Sequence, residues 1–555
     1  MVPDSFAEYL QSYKESWAQL QQDTPQLLSY EDRTLYTTWG ISLDHVRQQS
    51  SLAAKLLQLW AYFDNQDVWL QLLQEGRDNA PEWFCELTRD RLVFNKAVRV
   101  LCDHALVEAD ATLGEGGKES RGYGMHSCVH AWTKHVVNER CNNALAGLAL
   151  QCVGLHVPDN SRPKYWVIQQ RLLRHANRCQ EIISVEFKER DGEGSLTGAI
   201  HNLGMLYANQ GKLNAAEEMY ARALQGYEKA LGRDHTSTLD TVNNLGVLYK
   251  DQGKLDKAEE MYQRALQGYE KALGRDHTST LSTVNNLGIL YKDKGKLDKA
   301  EEMYQRALQG REKAFGPNHT MTLDSIHCFG ILYADQGKLD KAEEMYQRTL
   351  QGYEKALGRD HTSTLGTVNN LGFLYKDQGK LDKAEEMYQR ALQGYEKALG
   401  RDHTLTLDTV NNLGILYWNR GKLDKAEEMY QRALQGYEKA LGRDHTSTLD
   451  TVNNLGLLYK KQSKLDKAEE MYERALQGKE RALGRDHTST LGTVNNLGVL
   501  YKDQGKLGKA EEMYQRALQG YEMRFGSNYP RCCSLRRALA TLKDRVVTQS
   551  LATRT

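Results

Sequence analysis

A mostly α-helical solenoid of eight stacked helix pairs with a terminal cap, preceded by a small non-repeating region, is the fold class that this 555-residue sequence predicts. Three observations predict it. First, a 42-residue stretch, clearest at 239–280 (LDTVNNLGVLYKDQGKLDKAEEMYQRALQGYEKALGRDHTST), recurs in register. The residue after each paired asparagine marks the copies: Leu245, Leu287, Leu371, Leu413, Leu455 and Leu497, with Leu203 and Phe329 holding the place in two divergent copies. A fixed period of this size is the signature of stacked repeats, each burying an apolar face that it cannot bury alone. Second, apolar residues inside a copy fall three and four apart, which draws a stripe along a helix. Third, composition changes along the chain. Seven of eight tryptophans precede Gln170, eight of nine cysteines lie outside the repeats, and only Pro317 of seven prolines lies inside them.

These signals divide the chain into a helical and winged-helix-like region (1–135), bridging helices and a linker (136–195), the array (196–526) and a capping helix with a tail (527–555). In the first region, Leu52, Leu56, Leu57, Leu59 and Trp60 form one apolar helical face. Trp69, Leu70, Leu72 and Leu73 form another, and Phe94, Ala97, Val98 and Leu101 a third. HALVEAD (104–110) reads as a strand, ATLGEGGKES (111–120) as a turn-rich loop and YGMH (123–126) as the returning strand. From Val136 to Phe187 the pattern is helical, covering the open face of the first repeat, and KERDGEGS (188–195) reads as the linker.

Each copy contains two helices. In the clearest, the first runs from Leu239 to about Lys250 and opens at Ser237, with Asp240 at capping-box spacing. Gly253 is suited to a left-handed C-terminal cap. The second runs from about Leu255 to Leu273, with Ala258, Met261, Tyr262, Ala265, Leu266, Tyr269, Ala272 and Leu273 on its apolar stripe. GRDHT turns into the next copy. Residues 534–551 begin a ninth first helix in register, since Leu539 follows Leu497 by one period, and then become basic, as a water-facing cap should.

Net charge is zero and the isoelectric point is near 7.2, so charge gives no case for nonspecific binding of nucleic acid or an anionic membrane. The start (MVPDSFAEYLQ) does not read as a signal peptide, and the apolar run Ala144–Val157 is too short to span a bilayer. Nine cysteines without CxxC suit a reducing compartment, so a cytoplasmic location is expected.

Leu245, Gly246, Tyr249, Ala258, Tyr262 and Ala265 resemble the tetratricopeptide-repeat (TPR) signature in type and spacing. The usual TPR period is 34 residues; the longer one here resembles kinesin light chains and their fungal relatives. The resemblance implies a right-handed superhelix with first helices on the concave face. Residues 56–73, 94–108 and 123–132 resemble the winged-helix segment of fungal NOD-like (NB-ARC) signal-transduction ATPases. In that family a Met-His-Asp motif approaches the nucleotide; Met125 and His126 match it, and Ser127 stands where Asp is expected. No GxxxxGK[ST] loop occurs in the sequence, so no nucleotide cofactor is expected to bind in the family manner.

Differences between copies gather on the first helix. One series runs Val247, Ile289, Ile331, Phe373, Ile415, Leu457, Val499. A second runs Lys250, Lys292, Ala334, Lys376, Trp418, Lys460, Lys502, and a third Asp240, Ser282, Asp324, Gly366, Asp408, Asp450, Gly492. The TPR resemblance places these positions in the groove. Asn243, Asn285, Asn369, Asn411, Asn453 and Asn495 line up there too, and their amides either bind an extended backbone or fix the spacing of repeats. Trp418 is the candidate hot spot.

Other chemistry is disfavoured. His235, His277, His319, His361, His403, His445 and His487 recur one per copy, too far apart to share a metal, and read as turn residues packing between helices. The paired glutamates, such as Glu259 and Glu260, favour a helix N-terminus and make no acid–base dyad. An RNA-binding groove would need more basic residues than this one carries. The expectation is a non-enzymatic scaffold, without metal or cofactor, that binds a protein or peptide in its groove and neither nucleic acid nor membrane. The alternatives are the sensor part of a NOD-like ATPase and, with less support, a kinesin-light-chain-like cargo adaptor. The latter lacks the sustained heptads that would join a motor.

Overall fold

The computed structural model describes residues 35–109, 121–138, 142–158, 165–186 and 194–552. The expected wing loop at 111–120, most of the expected linker and the first 34 residues lie outside the described residues. Contacts divide the chain into two compact units, 1–149 and 150–555.

The first unit contains helices α1 (Leu35–Gln49), α2 (Ser51–Trp60), α3 (Leu70–Gln74), α4 (Glu82–Leu87) and α5 (Arg91–Asp103), then strands β1 (Glu108–Ala109) and β2 (Tyr123–Gly124) and helix α6 (Ser127–Trp132). The predicted apolar faces form its core: Leu57, Leu59, Trp60, Leu72, Leu73, Phe94 and Leu101 are buried. Asp90 caps α5, its carboxylate accepting from the Leu92 and Val93 amides. The two predicted strands pair antiparallel, Glu108 opposite Gly124 and Ala109 opposite Tyr123, and Val68 bridges to Tyr123. Met125 is buried, whereas His126 is exposed and caps α6, its Nδ1 accepting from the Cys128 amide at 3.3 Å.

Helix α7 (Asn143–Leu155) crosses the division, and α8 (Tyr165–Glu186) begins the described part of the second unit. Eight helix pairs follow. Their first helices are Gly194–Asn209, Thr236–Asp251, Thr278–Asp293, Thr320–Asp335, Thr362–Asp377, Thr404–Asn419, Thr446–Lys461 and Thr488–Asp503. Each is followed by a second helix of 18 or 19 residues, as at Leu255–Leu273. The capping helix, α9 (Pro530–Ala552), starts four residues before the expected position and buries Cys532, Leu535 and Leu542.

The pairing follows from small residues facing large ones. A Cβ on Gly246 would lie 2.6 Å from the Tyr262 ring, and one on Gly268 would lie 2.4 Å from Leu239. Both glycines therefore permit helix contacts that alanine would obstruct. The turn inside each pair closes at a left-handed residue, Gly253 at φ +70°; in copy 7 that residue is Ser463, at φ +62°.

The first helices begin earlier than expected. Thr236, not Leu239, is the first helical residue of copy 2, and the cap is His235, whose Nδ1 accepts from the Ser237 amide at 3.2 Å. The same bond recurs at His277, His319, His361, His403, His445 and His487. The periodic histidines thus answer the orphan amides of a helix start. Asp240 leaves the expected capping box and instead accepts from the Tyr269 hydroxyl, tying the two helices of the pair.

The array runs past one superhelical turn. The turn inside copy 1 meets the start of copy 7: Gly211 lies against the His445 ring, which is hydrogen-bonded to the Asn209 backbone. The turn inside copy 2 meets copy 8, where Arg524 donates to the Gly253 carbonyl and His487 bonds the Asp251 backbone. On α8, Tyr165 stands edge-on to His403 at 5.7 Å, and Gln170 donates to the carbonyls of Lys439 and Ala440 at 2.6 and 2.8 Å.

Candidate binding groove

Most of the first asparagines form an inter-repeat ladder. Asn243 Oδ1 accepts from Asn286 Nδ2 at 3.2 Å and from the Thr283 hydroxyl at 3.3 Å. Asn369, Asn411 and Asn453 accept likewise from Asn412, Asn454 and Asn496. In copies 1 and 4 a histidine takes the place. His201 meets Thr241 and Asn244, and His327 meets Thr367 and Asn370. These two were missed from the sequence because they are not asparagine; alignment at the 42-residue period would have found them. Burial pushes His327 down to about 4 and His201 below the usual imidazole range, so both serve as neutral hydrogen-bonding rings.

The ladder breaks once and ends once. Cys328 stands where copy 4 would supply an asparagine amide, and the buried Asn285 Oδ1 has no hydrogen-bond partner among the described residues. After Asn495 the cap offers Leu535 and Ala538 at the corresponding places. Asn495 therefore lines a cavity of about 640 Å³ with Asp450, Lys479, Lys502 and Arg531.

The lysine series is partly occupied by acids. Lys292 bonds Asp335 of the next copy at 3.2 Å, and Lys460 bonds Asp503 at the same distance. Lys250 and Lys502 lie 3.2 and 4.0 Å from the aspartates that follow them in sequence. Lys376 lies 4.0 Å from the centre of the Phe373 ring, a cation–π contact, and 2.9 Å from Asp377. Phe373, Trp418 and Leu457, in copies 5, 6 and 7, are 46, 37 and 36% exposed. They are apolar side chains held at the surface by an otherwise buried framework.

The third series meets residue 269 and its equivalents on the second helix. Tyr353 and Tyr437 donate to Asp324 and Asp408, as Tyr269 does to Asp240. Opposite Gly366 and Gly492, Tyr395 and Tyr521 turn to backbone carbonyls. Two copies carry a buried cation instead. Lys479 pairs with Asp450 at 2.7 Å, whereas Arg311 bonds Ser282, Ser325 and the Met321 carbonyl, and its Nε has no hydrogen-bond partner among the described residues.

Among the described residues no group of three metal-ligating side chains comes together, and no helix is long and apolar enough to cross a membrane. The glutamate pairs serve the stack: Glu259 accepts from Tyr291 and Lys294 of the next copy.

A constant helical framework presenting varied side chains along one face defines a helical-repeat protein of the α-solenoid class. The tetratricopeptide repeat model matches residues 196–523 in seven overlapping windows, more than half of the sequence, and the chain belongs to that family. Among solved structures it is similar to BtubC (BKLC) from P. vanneervenii, with 24% identity over 42% of this chain and 92% of the other and a TM-score of 0.34. It is similar to a putative kinesin light chain with nearly identical TPR-like repeats from Podosopora anserina, with 23% identity, 37 and 97% coverage and a TM-score of 0.31. A signal transduction ATPase with a tetratricopeptide repeat sensor from Pyrococcus horikoshii matches with 17% identity, 90 and 67% coverage and a TM-score of 0.42. No curated protein sequence matches the chain.

Proposed function

We propose that this chain is a non-enzymatic interaction scaffold that binds a peptide or extended protein segment along the first helices of copies 5–7. The observation that carries this reading is the exposure of Phe373, Trp418 and Leu457 on three consecutive copies whose frameworks are otherwise nearly identical. Partly exposed aromatic residues held by a rigid framework are what an interface uses as anchors. Phe373, Trp418 and Leu457 are exposed, so recognition there is separate from the ion pairs and hydrogen bonds that hold the stack.

The ladder changes the choice of test. Asn369→Ala with Asn411→Ala removes two acceptors that join copies, so a loss of binding in that variant is ambiguous. Trp418→Lys with Phe373→Ile installs residues that other copies already carry. A displayed peptide library is selected on the full chain, and the selected peptides are titrated against both proteins by calorimetry. At least tenfold weaker binding is expected, about 1.4 kcal/mol, with the melting curve unchanged. Equal affinity in the folded variant refutes the assignment.

A second reading, the sensor part of a signal-transduction ATPase, is supported by the β1–β2 pair and by Met125 and His126 following it. It requires an endogenous protein well above 63.2 kDa that carries a phosphate loop, which intact-mass measurement decides.

A further inference from the structure

Seven equivalent histidines have two fates in this array. His235, His277, His319 and His361 are exposed helix caps. His403 is 3% exposed, and His445 and His487 are partly buried, because each faces the preceding superhelical turn. His403 meets Tyr165. His445 meets Gly211 and bonds the Asn209 backbone, and His487 bonds the Asp251 backbone. In all three, Nδ1 already accepts the capping amide, which leaves Nε2 as the proton-bearing nitrogen. The neutral ring therefore accepts at one nitrogen and donates at the other. A second proton would go on Nδ1, removing the cap and leaving a charge at the contact.

We propose that the contact between successive superhelical turns is an acid-released latch, in which protonation of His403, His445 and His487 separates the two turns. The idea goes beyond the binding reading and does not depend on it. Among the described residues Tyr165 faces His403, and the adjacent Asp402 is bonded to Lys439 at 2.6 Å. Asp450 acts on His445 and His487, and it is already paired with Lys479. Lys479 and Arg524 face His487 and oppose its charging, while the contact from copy 2 is the Asp251 backbone.

Burial pushes all three imidazoles down to about 4. When the turns separate, each returns to the ordinary value near 6.5. Above about pH 6.5 both states are neutral and the latch has its full stability. Below that the open state takes up protons first, and the effect is complete near pH 4. At pH 5 each histidine favours opening about thirtyfold, so three acting independently favour it about 3 × 10⁴-fold.

The test uses the full chain. Histidine ring resonances, assigned by single His→Gln variants, are followed against pH. Those of His403, His445 and His487 are expected to titrate at about 4, below the ordinary imidazole value near 6.5. Small-angle scattering should record an increased radius between pH 6.5 and 4.5 while far-UV dichroism is unchanged. His403→Gln/His445→Gln/His487→Gln, which cannot charge, should not expand in that window. His235→Gln/His277→Gln/His319→Gln should expand as the parent does. Midpoints near 6.5 for His403, His445 and His487 overturn the proposal, even if the triple variant fails to fold. So does a parent radius that stays constant to pH 4.5.

Discussion

Asp450→Ser transfers to copy 7 the residue that copy 3 carries, and it tests what holds a cation inside the stack. Lys479 is 2% exposed. Its ammonium has two partners, the Asp450 carboxylate at 2.7 Å and the Thr493 hydroxyl at 3.2 Å. Removing one member of a buried ion pair costs about 3–5 kcal/mol when both members are desolvated. Here the Asp450 side chain is 57% exposed, so solvent already screens the pair. The cost expected is therefore lower, about 2 kcal/mol. The converse change, Ser282→Asp, gives buried Arg311 a carboxylate within hydrogen-bond reach and should add about 1 kcal/mol. Lys479→Tyr on the Asp450→Ser background removes the stranded charge, and it should recover most of the loss through a tyrosine like Tyr521, which donates to a backbone carbonyl. Urea denaturation followed by far-UV dichroism reads all four proteins. In a stacked array a local loss is shared with neighbouring copies, so the whole transition moves. If Asp450→Ser and Asp450→Ser/Lys479→Tyr are equally stable, an unpaired cation is not the reason for the loss.

Two further outcomes are expected. Ser463 is a left-handed serine where most copies have glycine, so Ser463→Gly should raise stability by about 1 kcal/mol, seen as a higher urea midpoint at constant slope. Cys328→Asn should supply the missing amide to Asn285 Oδ1 and gain about 1 kcal/mol over Cys328→Ala, measured the same way; no difference between the two would show that the ladder does not join copies 3 and 4.

The array was legible because its physics is local and repeated. Ala258, Tyr262 and Ala265 lie on a stripe of period 3.6, Gly253 marks a left-handed turn, and both recur copy after copy. Long-range pairing was less legible. Asp240 sits at capping-box spacing, yet Tyr269, 29 residues away, takes its carboxylate, and the neighbouring histidine caps the helix instead. The first asparagines were open to two readings, since one amide can serve a ligand or a neighbouring copy. The structure assigns the oxygen of Asn243, Asn369, Asn411 and Asn453 to the next copy. The exposed side of Trp418 follows directly from its place in the lysine series.

What the period could not reveal is the consequence of exceeding one turn. His235 and His487 occupy the same place in the repeat, cap the same kind of helix and make the same bond to the second amide beyond them. Only the later one meets another part of the array, because six copies bring the chain back over its own beginning. Position-specific residues mark that return: Arg524 replaces the alanine found at Ala272, and it reaches Gly253. A cation at that place would have no such carbonyl partner in copy 2. The sequence therefore departs from its own repeat where the superhelix touches itself, just as it departs at Phe373 and Trp418, where the proposed ligand would lie. In a nearly identical array, departures locate the contacts that the repeat alone cannot make.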